Sequence, residues 1–160
     1  MEKNYYMIIT TRADYKKDLE NKFEFIGFPE RNRKSVEKFN VGDKVIFYVT
    51  KVSSFAASVE ISGESFYSNK QVWTDEYDIW PYRVKSKKEY AIENENNMVF
   101  IKDIWDDLEF IKNKGKWGSQ VQGSFRKISE HDYNVIYRHI KERCNKWKLC
   151  LFSLVQEEWI

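Results

Sequence analysis

The sequence predicts an α+β fold, a small mixed β-barrel with peripheral α-helices. Three observations lead there. Segments of β character outnumber those with helical periodicity, and the helical ones decorate the strands rather than alternate with them. No interior stretch is rich in Gly, Ser or Pro and no repeat is present, so the 160 residues read as one domain, long enough to bury a proper core. Aromatic residues make up 17% of the chain, against only six Gly and two Pro, which provides the apolar surface folding requires and argues against disorder.

The elements follow in order. "NYYMIIT" (4–10) is apolar on both faces and reads as a central strand. "RADYKKDLENKF" sets Ala13, Leu19 and Phe23 among charges, which suggests a short surface helix. "IGFP" then breaks at Pro29 as a loop, and "RKSVEKF" forms one helical or 3₁₀ turn. Gly42-Asp43 turns the chain into the buried strand "KVIFYV". "FAASVEIS" alternates as a third strand, bulged near Gly63-Glu64 before "SFYS", and a further strand runs through "YRVKS". "IKDIWDDLEFI" places Ile101, Ile104, Trp105, Leu108 and Ile111 at helical spacing, predicting an amphipathic helix. "KNKGKWGSQVQGSFRKI" reads as a glycine-bearing loop with a short strand, after which Ser129 caps a helix striped by Tyr133, Ile136, Tyr137 and Ile140. The domain is expected over 1–143. Residues 144–160 form an apolar extension that packs on it, dimerises, or leads to a further domain. Trp147, Leu151, Phe152, Leu154 and Trp159 carry that expectation, which leaves monomer and homodimer both open.

Charge narrows the partners. A net charge of +2 and a pI of 8.4 lack the dense basic stripe of a protein that binds by phosphate neutralisation alone. A nucleic-acid partner would therefore be held by a shaped site. Cys144 and Cys150, with no secretory leader at the start, fit a reducing cytosol and two buried thiols better than a disulfide or metal site. No apolar run approaches the ~18 residues of a membrane helix. The expectation is a soluble, cytoplasmic chain with no membrane partner, no metal and no cofactor.

Catalytic motifs are missing: there is no G-x-S-x-G elbow, H-E-x-x-H, phosphate-binding G-x-x-x-x-G-K-[ST] or G-x-G-x-x-G. His131 and His139 read as a helix-surface pair, and Asp103, Asp106 and Asp107 as the solvated side of a helix. Recognition is better supported. Trp73, Trp80, Tyr82 and Trp117 sit in or beside loops, where aromatic rings can stack a base at about 1–3 kcal/mol each. Asn32, Ser53, Ser54, Ser119, Gln120 and Gln122 supply groups able to read a base edge, and Arg31, Arg33, Arg83 and Arg126 can hold phosphates. Each Trp taken alone is more often a core residue or a loop plug; the set beside loop Arg, Asn and Gln is not what packing alone calls for.

The ordered segments "YYMIIT", "GFPERNRKSVEKFNVGDKVIFYV", "FAASVEI", "IWPYRVK", "DIWDDLEFIKNKGKW" and "QGSFRKISEHDYNVI" resemble the EVE domain family of the PUA superfamily over about residues 4 to 140. The resemblance implies a PUA-like mixed β-barrel with flanking helices, related to YTH domains. It also implies a non-catalytic module that holds a flipped, modified base of DNA or RNA (methylated or hydroxymethylated cytosine, or methyladenine) in an aromatic-walled pocket. Family members fused to restriction machinery make an associated restriction or NTPase module an expected partner.

Carried onto this chain, the resemblance puts the pocket at Thr10 and Thr11, with Ile26, Gly27 and Phe28 as one wall and Trp73 and Trp80 as the other. Ile26 stands where related readers often have Trp. Ser53 and Ser54 join the pocket, and Trp117, Ser119, Gln122 and Arg126 come to the rim. Arg12, Arg31, Asn32, Arg33 and Arg83 are expected at the backbone. Gly27 would let a ligand approach closely. Two other functions are carried beside this one. The first is an RNA- or nucleoside-processing enzyme like the ASCH domains that PUA-like barrels also resemble, with Lys44, Lys85 and Arg83 at its site. The second is a protein-interaction module working through the tail.

Overall fold

The computed structural model describes the backbone of residues 2–157 and the side chains of residues 2–146. Seven strands form one mixed sheet: β1 (Tyr5–Thr10), β2 (Phe25–Phe28), β3 (Lys44–Val49), β4 (Ser54–Tyr67), β5 (Tyr82–Ala91), β6 (Val99–Phe100) and β7 (Phe125–Ile128). Their order is β2-β5-β4-β3-β1-β7, with the short β6 on β4. Four α-helices decorate it: α1 (Arg12–Glu20), α2 (Arg33–Val36), α3 (Ile101–Ile104) and α4 (Glu130–Glu157). This is the expected mixed α+β architecture, and the sheet curls into a half-barrel rather than closing through a ladder.

β1 runs parallel to β3 (Ile8↔Phe47) and antiparallel to β7 (Ile8↔Phe125), so it lies inside the sheet as its two-sided apolar pattern requires. The core is built on Met7, Val45, Ile46, Phe55, Val59 and Ile61, all without solvent exposure. Each such side chain contributes roughly 1.5–3 kcal/mol on burial. α4 seals one face with Tyr133, Ile136 and Ile140. Its first turn is capped as expected, the Ser129 hydroxyl accepting from the Asp132 amide at 3.1 Å. The ladder between β4 and β5 slips between Ile61 and Ser65, where the Gly63 bulge was expected.

Two elements differ from expectation. "IGFP" is not a loop: residues 25–28 are strand β2, paired with β5 through Gly27↔Arg83. The helix expected through "IKDIWDDLEFI" stops after Ile104, becomes a 3₁₀ turn at Trp105–Asp107, and is extended by Leu108. The cause is tertiary. The buried carboxylate of Asp132, at the start of α4, accepts from the amides of Glu109 (2.7 Å) and Phe110 (3.0 Å), a competing destination for backbone groups a helix would have used. The helical spacing survives only as burial, since Ile101, Ile104, Leu108 and Ile111 all face the core.

α4 continues through Arg143 without a break. The side chains of Trp147, Cys150, Leu151, Phe152 and Leu154, and Trp159 entirely, lie outside the described residues. Cys144 is half-buried, with Sγ 3.9 Å from the Ala91 carbonyl oxygen.

Candidate base-binding cleft

The two edges of the curled sheet approach each other through side chains. Phe28 of β2 meets Phe125 of β7 with ring centroids 5.1 Å apart, and Arg31 donates to the Ser124 hydroxyl at 2.7 Å across the same seam. Beside the seam lies a cleft of about 160 Å³, entered past Arg31, Gly123 and Ser124. That is smaller than the ~300–1,000 Å³ typical of drug-sized ligands and suits a single planar ring system. Its lining comes from the end of β1 (Thr10), the inner face of α1 (Asp14 and Asp18), β2 (Ile26 and Phe28) and the 68–81 loop (Trp73 and Trp80).

Trp73 and Trp80 have centroids 5.3 Å apart and planes inclined by 34°. A ring slid between two others needs roughly 7 Å, twice a van der Waals contact, so the indoles form one continuous wall and not a pair of jaws. Trp73 is the fixed half. It is 3% exposed, its Nε1 donates to Asp18 Oδ1 at 2.9 Å, and its ring lies on the backbone of Gly27. A Cβ at Gly27 would sit 2.2 Å from two ring carbons. The close approach this glycine permits is therefore that of the indole rather than a ligand. Trp80 is the half-exposed half. Its φ of 54° is unusual for a bulky residue. The conformation is held at both ends, the amide donating to Asp78 Oδ1 and the carbonyl accepting from Arg83 Nε, each at 3.2 Å.

Arg83 corrects an expectation. It does not stand at a phosphate-binding mouth; it is 1% exposed, packed against both the Phe25 and Trp73 rings at 5.3 and 5.1 Å. Its guanidinium donates to the carbonyls of Trp80, Lys70 and Ile79. It is the internal clamp of the loop that carries the indole wall.

The other expected residues divide into two groups. Thr10, Thr11, Ile26, Gly27, Phe28, Trp73, Trp80 and Arg31 line the cleft. Ser53, Ser54, Asn32, Arg33, Trp117, Ser119, Gln122 and Arg126 do not. Ser54 is bonded to the Val52 carbonyl within its own turn. Trp117 packs on Trp105 with Lys102 over both rings, and Arg126 covers Phe110 while donating to the Gln120 carbonyl. Arg12 is turned to Glu95 at 2.6 Å, and Ser119 bonds the Lys116 carbonyl. Arg33 and Gln122 are exposed, and Asn32 is half-buried beside Arg31 with its Oδ1 unpartnered.

Sequence reasoning missed Asp14 and Asp18. They face inward from α1 one turn apart and are as buried as Tyr15 between them. Asp14 Oδ1 accepts from the amide and hydroxyl of Thr74 at 2.9 and 2.8 Å, and Oδ2 accepts from Thr11 Oγ1 at 3.1 Å, so it fastens the Trp73 loop to the helix start. Asp18 makes one side-chain bond, to Trp73. Burial pushes its carboxyl up to about 7, with the Asp14 charge adding to the rise and the indole N–H opposing it. A signal was present in the sequence, because a helix with only Ala13 and Leu19 as aliphatic residues has no apolar stripe to bury.

A curled mixed sheet with helices around it and a small cleft at its seam defines the PUA-like class of domains. The sequence profile of the EVE domain matches residues 4–139, and the chain belongs to the EVE domain family. A UPF0310 protein of Pyrococcus abyssi is 28% identical over 144 residues, covering 83% of this chain and 96% of that protein. Among solved structures, a hypothetical protein of Leishmania major superposes with a TM-score of 0.59 at 16% identity, covering 89% of this chain and 97% of the other. A YTH domain of Zygosaccharomyces rouxii, solved in complex with N6-methyladenosine RNA, gives 0.58 at 11% identity, covering 88% and 85%. At these identities the structural likeness is one of fold. No helix among the described residues is long and apolar enough to cross a membrane.

Proposed function

We propose that this protein is a non-catalytic nucleic-acid-binding module that holds one modified base, extruded from its strand, in the cleft at the sheet's seam. The observation that carries the reading is the built indole wall: a half-exposed Trp80 backed by a Trp73 that Asp18, Gly27 and Arg83 hold from three sides. A surface meant only to exclude water needs no such clamp. Stacking on Trp80 returns about 1–3 kcal/mol, against the few kcal/mol that extruding a base costs. A methyl group buried against Ile26 or Phe28 adds about 1 kcal/mol per carbon, which gives a preference for the modified base rather than absolute selection. Arg31 stands at the mouth, where the phosphates of the flanking strand would pass. The fold shared with a YTH domain solved with methyladenosine RNA supports the same reading.

The enzymatic alternative finds less support. Lys44 is tied to Glu89 and Glu60 at 2.6 and 3.3 Å, Arg83 is buried in its clamp, and Lys85 projects outward from β5. These three groups do not converge on a cavity. Fluorescence anisotropy with single-stranded DNA and RNA oligonucleotides, each carrying one 5-methylcytosine, 5-hydroxymethylcytosine, N6-methyladenine or unmodified base, tests the proposal. The expected result is tighter binding to at least one modified strand, weakened by about 1–3 kcal/mol in Trp80→Ala. Uniform or absent binding across the panel would rule it out.

A further inference from the structure

Inside the cleft nearly every polar atom already has a partner. Both oxygens of Asp14 are occupied, Asp18 Oδ1 is held by the Trp73 indole, and Arg31 is engaged by Ser124. Among the side-chain oxygens that line it two positions remain, beside the indole N–H of the half-exposed Trp80. Asp18 Oδ2 has no hydrogen-bond partner among the described residues, on a side chain whose residue is 6% exposed. Thr10 Oγ1 is buried with no hydrogen-bond partner among the described residues. Buried polar atoms are ordinarily satisfied, so the buried Thr10 Oγ1, with the open second oxygen of Asp18 lining the same aromatic-walled cavity, marks where a ligand's polar edge would sit.

We infer that the cleft selects bases with an amidine edge, an exocyclic amino group beside a lone-pair ring nitrogen as in adenine and cytosine, and that Asp18 and Thr10 are the groups that read it. This rests on the base-reading function proposed above. The chemistry follows from what surrounds Asp18. Asp14 faces it from the same helix, the Trp73 N–H from the 68–81 loop, the Tyr15 hydroxyl interacts with it, and the cations of the site are Arg31 in the cleft lining and Arg83 packed on the Trp73 ring. A buried carboxyl with a second carboxylate beside it and no cation bonded to it favours keeping its proton.

With Oδ1 accepting from Trp73, that proton sits on Oδ2 and makes it a donor. Its complement is the ring nitrogen of an amidine edge, with the adjacent amino group donating to Thr10. The imide edge of thymine or uracil presents an N–H at the ring position, donor against donor. A site built around such a bond rejects the mismatched edge strongly.

The test is binding of the full chain to single-stranded oligonucleotides carrying 5-methylcytosine, N6-methyladenine or, as the methylated imide, thymine, at about pH 6 and pH 8. Amidine strands should bind roughly tenfold more weakly at the higher pH as the proton leaves, and thymine should trail 5-methylcytosine by about tenfold or more at the lower. Asp18→Asn keeps an oxygen for Trp73 and places an N–H₂ donor at the second position. It should hold the low-pH affinity at both pH values, whereas Asp18→Ala should lose it. Equal binding of thymine, or pH-independent binding by the wild type, would overturn the edge assignment while leaving base reading intact. No binding of any strand by a protein that melts cooperatively would remove both.

Discussion

Gly27→Ala is the substitution that most directly interrogates the indole wall. The new Cβ would lie 2.2 Å from Trp73 Cη2 and Cζ3 and 3.1 Å from Cε3, where carbon contacts are stable at about 3.5–4.0 Å. The ring must retreat by more than an ångström, yet Arg83 and Phe25 pack on its other contacts at 5.1 and 5.8 Å. Moving it also stretches the 2.9 Å bond to Asp18. Overpacking of this kind costs about 1–3 kcal/mol and the weakened hydrogen bond about 1 more. The sum, about 2–4 kcal/mol, corresponds to a melting temperature lower by roughly 4–16 °C in a domain of this size.

Circular-dichroism melts, with tryptophan fluorescence reporting the indole environment, measure the loss. Gly118→Ala serves as the control, because a Cβ there meets nothing within 4 Å and should stay within about 0.5 kcal/mol. If Gly27→Ala melted with the wild type and kept its emission spectrum, Trp73 would not be positioned by that contact, and the account of the wall would be wrong.

Other expectations follow from the same contacts. Trp80→Ala should weaken binding of the preferred base by about 1–3 kcal/mol in anisotropy titrations while changing stability little, since its ring is half-exposed. Trp73→Ala should lower stability by about 3–5 kcal/mol in urea denaturation, the cost of emptying a buried indole site. Arg83→Met should strand three carbonyl acceptors, destabilising by about 2–4 kcal/mol and speeding amide exchange in the 68–81 loop. Asp18 makes stability depend on pH. The folded chain keeps its proton up to about pH 7 while the unfolded chain releases it near 3.8, so the native state binds more protons across that window and stability falls as pH rises through it. Urea midpoints at pH 5 and pH 8 should show that slope, and Asp18→Asn should flatten it.

Most strands were legible because their signal is local; β2, read as a loop, and the two-residue β6 were not. "KVIFYV" and "YYMIIT" are apolar wherever they are placed, and Gly42-Asp43 turns the chain by its own geometry. The Ser129 cap and the Ile136–Ile140 stripe of α4 were readable for the same reason. The helix through "IKDIWDDLEFI" was misread because the residue that ends it, Asp132, is more than twenty positions away.

The cleft was half legible. Loop indoles and the "GFP" segment stood out, but Arg83 looked like any phosphate-binding arginine until the fold buried it against two rings. Asp14 and Asp18 looked like surface acids on a charged helix. The missing apolar stripe of α1 signals that some charge turns inward, but which ones do is decided by partners such as Thr74 and Trp73 that lie some sixty residues along the chain.

The order of strands has a mechanical corollary. β2 hangs on the sheet by β5 alone and β7 by β1 alone, so the first and last rungs of the curl are its loosest members. A flat guest lodged at their junction would act as a keystone, converting an open arc into something close to a ring. The free energy of its capture would then be distributed into the stiffness of both margins.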